Sequence, residues 1–164
     1  MGQSSMNKAY LLTGGNMGRR EENLAWAQAL VARQAGTIIQ ASALYETAAW
    51  GHTDQPAFLN QVLEIQTALA PQQLLAQLLA IEKEIGRVRD KKYGPRIIDI
   101  DILFYNDNVL HDEALTIPHP QLQNRRFVLA PLAEIAGGLI HPVLHRSVAD
   151  LLAACPDPLE VRRL

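Results

Sequence analysis

Two aspartates stand two residues apart inside a stretch that otherwise has the pattern of a buried β-strand. Asp99 and Asp101 lie within the apolar run 97–104, where isoleucines separate them. Because successive side chains of a strand point to opposite faces, the two carboxylates share one face. Like charges on one face repel, and carboxylate oxygens suit Mg²⁺, two ions of which bind about 3.5–4 Å apart in phosphoryl-transfer sites. We interpret the strand as a candidate metal site; the alternative is the solvated face of an edge strand.

A cluster of cations lies directly upstream of this strand. Arg87, Arg89, Lys91, Lys92 and Arg96 fall within ten residues. Guanidinium groups stay charged and match phosphate oxygens with a fork of donors. A basic run alone is usually a solvated surface, but next to paired carboxylates it indicates a polyphosphate ligand. The composition of this segment also suits a loop that closes over phosphates.

Other residues that could take part in catalysis or binding give weaker signals. The glycine-rich turn 14–18 lies between a predicted strand and helix, but it lacks the P-loop lysine and the dinucleotide fingerprint. His119, between two prolines, fits either a turn residue or a phosphate ligand. His141 and His145 are four residues apart, but Pro142 interrupts the helix that a zinc pair would need. We interpret these last two histidines as structural.

The elements that must position these residues follow from the spacing of the apolar side chains. The pattern predicts strands over 8–13, 37–45, 58–67 and 97–105, and helices over 19–35, 71–86, 128–136 and 147–154. A short strand near Val109 and a turn at 118–120 are also expected. The order predicts an α+β fold with a ferredoxin-like βαββαβ core, a mainly antiparallel sheet with helices packed on one face, and a C-terminal extension.

Length and composition indicate a single domain. The chain has 164 residues, enough to bury about 70% of the unfolded surface, and we expect one domain over 8–164 after a flexible leader or tag remnant, 1–7. A net charge of −2 offers no general attraction to nucleic acid or anionic membranes. No apolar run reaches the roughly 18 residues of a membrane span, and no secretory signal is evident. The single cysteine, Cys155, favours the cytoplasm, and the lack of an apolar surface stripe favours a monomer.

The segment 94–103, GPRIIDIDIL, resembles the signature of the 6-hydroxymethyl-7,8-dihydropterin pyrophosphokinases, a family of folate-pathway enzymes. Other blocks resemble the family in the same order, from about residue 10 to 142. They are 12–16, Tyr45 and Thr47 with 55–60, 81–82 with 86–89, 115–119 and 125–132. These blocks are distributed along most of the chain.

The resemblance implies a reaction and a set of residues that perform it. Enzymes of this family transfer the diphosphate of ATP to the hydroxymethyl oxygen of the pterin and release AMP, using two Mg²⁺ ions. By position, Asp99 and Asp101 would hold both ions, while Arg87 and Arg96 would grip the polyphosphate. No general base is evident among the residues, and phosphoryl transfer depends mainly on positioning and charge neutralisation.

The resemblance also implies two binding sites for small molecules. The ATP site would comprise Glu82, Arg89, Ile102, Leu115, Thr116, His119 and Arg125. The pterin ring would lie between Phe58 and Phe127 with its edge on Asn60. The backbone of the segment that follows the second strand would complete this slot: Thr47, Ala48, Ala49 and Trp50.

The chain departs from the family pattern at loop positions. Gly15 replaces a serine, 48–49 replaces a pair of prolines, and Tyr93 replaces a tryptophan. Leu79 and Pro120 also differ from the residues common in the family, so neither is assigned a role. The expected catalytic residues are all present.

Two alternatives from other classes remain open. The aspartate pair could belong to another Mg²⁺-dependent phosphoryl or nucleotidyl transferase or a nuclease, although the pterin-like block around Asn60 argues against it. A ferredoxin-like RNA-binding module would use the basic loop. Aromatic residues make up only 5% of the chain and the isoelectric point is about 6.2, which disfavours it.

Overall fold

The computed structural model describes residues 6–48, 56–89 and 97–164. In chain order, the described elements are β1 (Asn7–Gly15), α1 (Arg20–Gln34), β2 (Thr37–Ala41), β3 (Tyr45–Thr47), β4 (Phe58–Thr67), α2 (Pro71–Arg89), β5 (Asp99–Tyr105), β6 (Leu110–His111), β7 (Thr116–Ile117), a 3₁₀ turn (Leu122–Asn124), α3 (Arg126–Ala136), α4 (Val148–Ala153) and β8 (Val161–Arg163). None of the helices in these described ranges combines the length and apolar character that a membrane crossing requires.

The strands form one main antiparallel sheet and a small separate ribbon. The main sheet has the order β5-β1-β4-β3-β8, and β2 pairs with the part of β4 that follows the β3 contact. The ribbon consists of β6 and β7. With β2 and β3 sharing one edge of β4, the core is the ferredoxin-like βαββαβ arrangement that the sequence predicts, so the α+β prediction is confirmed.

Two predicted elements differ clearly from the structure, and one strand was not predicted. The strand expected over 37–45 is divided, because Ser42 forms side-chain and backbone hydrogen bonds with Val62 between β2 and β3. Helix α2 does not end at Gly86 but continues to Arg89, because a glycine within a helix costs only about 1 kcal/mol. Strand β8 was not predicted, because three residues at the end of the chain are too short to show a period.

Helices cover both faces of the sheet: α1 and α2 of the core lie on one face, as predicted, and α3 and α4 of the C-terminal extension lie on the other. Alternate residues of β1 explain this arrangement: Ala9 and Leu11 join a core under α1 and α2, while Tyr10 and Leu12 join a second core under α3 and α4. An apolar strand that is buried on both faces requires cover on both. The C-terminal extension supplies the second cover.

Strand β5 changes character along its length. Ile100 and Ile102 join the core under α1 and α2, so the two aspartates point to the other face, as predicted. The pairing with β1 shifts by one residue at Leu103, and this bulge places both Leu103 and Phe104 in the second core. The aspartate face is therefore polar at the start of β5 and apolar at its end.

Glu46 of β3 is held between two arginines from distant parts of the chain. Arg20 Nη1 donates to its Oε2 at 3.0 Å, and Arg162 Nη2 of β8 donates to its Oε1 at 2.7 Å. These hydrogen bonds, Arg20's first, lower the pKa of the Glu46 carboxyl below its ordinary 4.5. A carboxyl whose pKa is lower in the folded state stabilises the fold above its unfolded pKa. That contribution is lost as the pH falls through the folded value.

We therefore expect Glu46→Gln to unfold more easily than the wild type at pH 7. The difference in the free energy of unfolding should shrink as the pH falls below about 4.5 and vanish below the lower pKa of the folded state. Urea unfolding followed by circular dichroism across this pH range measures the difference. Glu21→Gln, at an exposed position of α1, is the control and should match the wild type throughout. A Glu46→Gln difference that is constant from pH 7 to pH 3 would contradict the expectation.

Candidate active site

A cavity of about 290 Å³ opens where β1, β3, β4 and β5 approach the start of α3. Its walls include all seven of the residues predicted for the pterin and metal sites that the structure describes. The lining residues are Leu12, Gly14, Thr47, Ala48, Phe58, Asn60, Asp99, Asp101, Arg125, Phe127 and Leu159. Residues far apart in the sequence thus meet in one place, and we call this space the central cavity.

The aspartates lie on the cavity wall although β5 is the edge strand of the described sheet. Pairing with β1 sets Asp99 opposite Gly14 and Asp101 opposite Leu12, which fixes the two carboxylates on the cavity side. Both residues are partly buried.

The backbone between the two aspartates is held from the opposite side of the sheet. The Ile100 N–H donates to Glu82 Oε2 of α2 at 2.6 Å. Glu82 was expected beside the nucleotide, and it does not line either of the cavities beside the aspartates. The structure shows it fastening β5 to α2, which fixes the aspartates indirectly.

The glycine turn after β1 makes room for Asn60. A β-carbon at residue 14 would collide with the Asn60 amide, whose Nδ2 donates to the Thr13 carbonyl at 3.4 Å. A β-carbon at Gly15 would collide with the Ile97 carbonyl oxygen. Both glycines are required by close approach, which sequence reasoning interpreted only as a tight turn.

The wall formed by β3 and β4 combines aromatic and polar groups. Thr47 is buried, and its Oγ1 has no hydrogen-bond partner within the described ranges. Asn60 is also buried, and Phe58 stands beside it at the start of β4. A buried hydroxyl without a partner is costly, so this wall suits a flat ligand with polar edges that supplies one.

The start of α3 contributes Arg125 and Phe127. The Arg125 guanidinium lies 5.8 Å from the centroid of the Phe127 ring, within the range of a cation–π interaction. This contact keeps a permanent positive charge at the cavity that holds both aspartates. Anionic groups entering the cavity therefore meet a cation on the α3 side and carboxylates on the β5 side.

A second cavity of about 250 Å³ adjoins the first through Asp101, which lines both. It brings together four residues predicted for the ATP site, Ile102, Leu115, Thr116 and His119. The remaining lining residues are Leu75, Ile100, Glu113, Ala114 and Pro120. Leu75, Glu113 and Ala114 were missed, because neither their types nor their spacing distinguishes them from an ordinary helix or loop.

His119 closes a turn and also lines this second cavity. Its Nδ1 accepts from the Gln121 N–H at 3.1 Å, so the proton of the neutral ring is on Nε2. Burial lowers the pKa of the imidazole below 6.5; the Asp101 carboxylate opposes this, and the Arg125 charge adds to it. His119 is therefore a neutral donor near pH 7: its turn role is seen in this hydrogen bond, and its role as a phosphate ligand stays a prediction.

Several predicted residues lie outside what the structure describes. Ala49, Trp50 and Arg96 are outside the described residues, and Arg87 and Arg89 end α2 with side chains that are not described. The expected structural role of His141 is confirmed: its Nδ1 accepts from the N–H groups of Val143 and Leu144, each at 3.1 Å.

The two aspartates suit a metal ion that takes some of its ligands from the protein and the others from a substrate. Across residues 6–48, 56–89 and 97–164, no three His, Cys, Asp or Glu side chains form a complete metal site. Two carboxylates on one strand face are what Mg²⁺ commonly takes from a protein when phosphate oxygens and water supply the rest. Asp99 and Asp101 meet that requirement.

Comparisons with known proteins agree with this geometry. The sequence matches the family 7,8-dihydro-6-hydroxymethylpterin-pyrophosphokinase (HPPK) over residues 10–137. It is 42% identical over 160 residues to the 2-amino-4-hydroxy-6-hydroxymethyldihydropteridine pyrophosphokinase of Methylorubrum extorquens, covering 97% of this chain and 99% of that one. It is 46% identical over 130 residues to the protein of the same name from Bacillus subtilis, covering 79% and 78%.

Two similar proteins are much longer. Folic acid synthesis protein fol1 of Pneumocystis carinii is 44% identical over 148 residues, which are 90% of this chain and 20% of that protein. The crystal structure of wild-type Plasmodium falciparum HPPK-DHPS with STZ-DHP superposes with a TM-score of 0.75 at 20% identity. It covers 92% of this chain and 43% of that one, and it shows the shared fold. The chain thus spans about a fifth of fol1 and less than half of the Plasmodium protein.

Proposed function

Because the chain belongs to the 7,8-dihydro-6-hydroxymethylpterin-pyrophosphokinase family, we propose that it transfers the diphosphate of ATP to 6-hydroxymethyl-7,8-dihydropterin and releases AMP. This reaction is a step of folate biosynthesis. The observation that carries the proposal is the position of Asp101 in the walls of two adjoining cavities, one suited to a flat polar ring and one made of the predicted nucleotide residues.

The pterin occupies the central cavity in this proposal. Its ring contacts Phe58 and Phe127, and its polar edge meets the Asn60 amide and the Thr47 hydroxyl, whose partner the substrate supplies. Ala48, Ala49 and Trp50 complete the slot on the strength of the resemblance. Burying the ring in this way leaves its hydroxymethyl group free to face the aspartates.

ATP occupies the second cavity, with the adenine near Ile102, Leu115 and Thr116. The triphosphate then runs past Asp101 toward Arg125, and His119 donates to a phosphate oxygen through Nε2. Arg87, Arg89 and Arg96 add positive charge at the phosphates; the resemblance supports these three assignments. Glu82 acts by holding β5 in place.

Asp99 and Asp101 would hold two Mg²⁺ ions, which would supply charge neutralisation and orientation of the phosphates. The pterin oxygen forms a bond to the β-phosphorus while the bond from that phosphorus to the α,β-bridging oxygen breaks. AMP leaves with the bridging oxygen, and the hydroxyl proton passes to water. The arginines and His119 stabilise the charge that develops on the phosphate oxygens.

AMP formation that requires both the pterin and Mg²⁺ is the result that tests this function. Purified protein with ATP, Mg²⁺ and hydroxymethyldihydropterin should form AMP and a pterin diphosphate in equal amounts, as separated by ion-exchange chromatography. Omitting the pterin or chelating Mg²⁺ should stop AMP formation. ADP as the product, or no turnover by well-folded protein, would contradict the proposal.

We also propose that the protein acts as a monomer in the cytoplasm. The free and buried Cys155 supports a reducing compartment, and most apolar side chains of the described sheet are covered by helices on both faces. Light scattering on the purified chain gives its mass in solution. A mass of twice 18.1 kDa would contradict the monomer.

A further inference from the structure

A third cavity, of about 380 Å³, lies next to the central cavity on its α3 side. The two cavities share Arg125, Phe127 and Leu159, so these side chains form the partition between them. The rest of the third cavity is formed by Gln121, Asn124, Pro156, Asp157 and Pro158. Leu159 lies beyond residues 10–137, the part of the chain that matches the family.

Asp157 holds this partition together with both oxygens of its carboxylate. Its Oδ2 accepts from the Arg126 N–H at 3.0 Å, and its Oδ1 accepts from the Leu159 N–H at 3.0 Å. Arg125, the N-cap residue of α3, provides no side-chain acceptor, so Asp157 caps the helix from 31 residues further along the chain. A carboxylate is favoured at a helix N-terminus, where unpaired N–H groups carry partial positive charge.

The segment around Leu159 is anchored on both sides. Before it, the Arg126 side chain donates from Nε and Nη2 to the Asp157 carbonyl at 3.3 and 3.0 Å, and from Nη2 to the Cys155 carbonyl at 3.2 Å. After it, β8 pairs with β3, and Val161 stands opposite Thr47 of the central cavity. Leu159 is therefore held on a fixed segment of backbone.

We propose that Leu159 is a specificity-determining residue: it closes the pterin cavity against the neighbouring cavity, and Asp157 positions it there together with the start of α3. The identity of the ligand rests on the proposed function. The ring that fits is a dihydropterin without a bulky substituent on the side of Leu159. Shortening this leucine joins the two cavities and makes room for a larger pterin.

The test compares wild type, Leu159→Ala and the control Leu164→Ala, which changes an exposed leucine of the same segment. The ligands are hydroxymethyldihydropterin and a set of dihydropterins that each carry one benzyl group at a different ring position. Binding is measured by calorimetry with Mg²⁺ and a non-hydrolysable ATP analogue present. In Leu159→Ala, at least one benzyl compound should bind about tenfold or more tighter than in wild type, and the plain pterin about fivefold weaker.

The affinity for the ATP analogue should stay within about twofold, because Leu159 does not line the second cavity. If wild type binds the plain pterin but Leu159→Ala binds none of the benzyl compounds more tightly than wild type does, this proposal fails and the proposed function stands. If wild type does not bind the plain pterin at all, the proposed function fails and takes this inference with it.

Asp157→Ala separates positioning from general stability. Removing the bridging carboxylate frees Leu159 from α3, so this variant should accept the same benzyl compound as Leu159→Ala, with about fivefold weaker binding of the plain pterin. Asp157→Glu, which keeps both acceptor oxygens, should restore part of the preference for the plain pterin. An Asp157→Ala protein with a lower melting temperature and the wild-type preference would show a structural role only, and would overturn the positioning role.

Discussion

Asp101→Ala is expected to lower turnover by about a thousandfold or more while the melting temperature stays equal to that of wild type or rises. The activity falls because Asp101 is the carboxylate that lines both substrate cavities. Stability does not fall, because removing one of two like charges on the same strand face relieves their repulsion. The attraction that is lost, to His119, is small because burial keeps that imidazole neutral near pH 7.

Steady-state turnover and a thermal melt on the same preparation measure the two effects. Asp107→Ala is the matched control, because Asp107 is an exposed carboxylate just after the same strand and lines neither substrate cavity. It should keep wild-type activity. A melting temperature that falls sharply in Asp101→Ala would instead indicate that the aspartate holds the fold.

Asn60→Leu is expected to raise the KM for the pterin by about a hundredfold or more and to leave the KM for ATP unchanged. Leucine has a similar volume but cannot form hydrogen bonds with a polar ring edge. The pterin edge would then be buried without a hydrogen-bond partner. The Thr13 carbonyl also loses the Asn60 amide, so we expect the free energy of unfolding to fall by about 1–2 kcal/mol.

Initial rates at varied pterin and at varied ATP separate the two KM values. Asn108→Leu, at an exposed position after β5, is the control for the chemical change. If Asn60→Leu raised both KM values together, Asn60 would support the structure of the whole site and would not bind the pterin edge specifically.

The aspartate strand was predictable from the sequence because a period of two is a local property. Ile100 and Ile102 show the buried face directly, so the common face of the two carboxylates follows without any knowledge of the fold. The bulge at Leu103 was not predictable, because it arises from how β5 registers against β1. One extra residue in a continuous apolar run leaves no trace in the pattern.

Of the residues that came from the resemblance and whose side chains the structure describes, all but Glu82 line one of the two substrate cavities. Thr47, Phe58 and Phe127 come together although they belong to three different elements, which no local pattern predicts. Glu82 instead binds the backbone of Ile100, a contact that depends on how α2 packs against β5. A motif gives the residue type at a position, but the packing decides which atom it meets.

The wall formed by Leu159 had no signal in the sequence. A leucine between a proline and a glutamate near the end of a chain belongs to no motif or periodic pattern that would indicate a binding role. Its place in the site follows from the Asp157 bridge and from the pairing of β8 with β3, both of which join residues far apart in the chain. Long-range contacts of this kind require the structure.

The fate of the terminal phosphate of ATP tests the central claim most directly. Two parallel reactions with hydroxymethyldihydropterin and Mg²⁺ would carry a phosphorus label in the α or in the γ position of ATP. Diphosphate transfer predicts that the γ label appears in the pterin product together with an unlabelled β-phosphate, while the α label stays in AMP. A pterin product with a single labelled phosphate and ADP as the other product would contradict it, as would a γ label released as free phosphate.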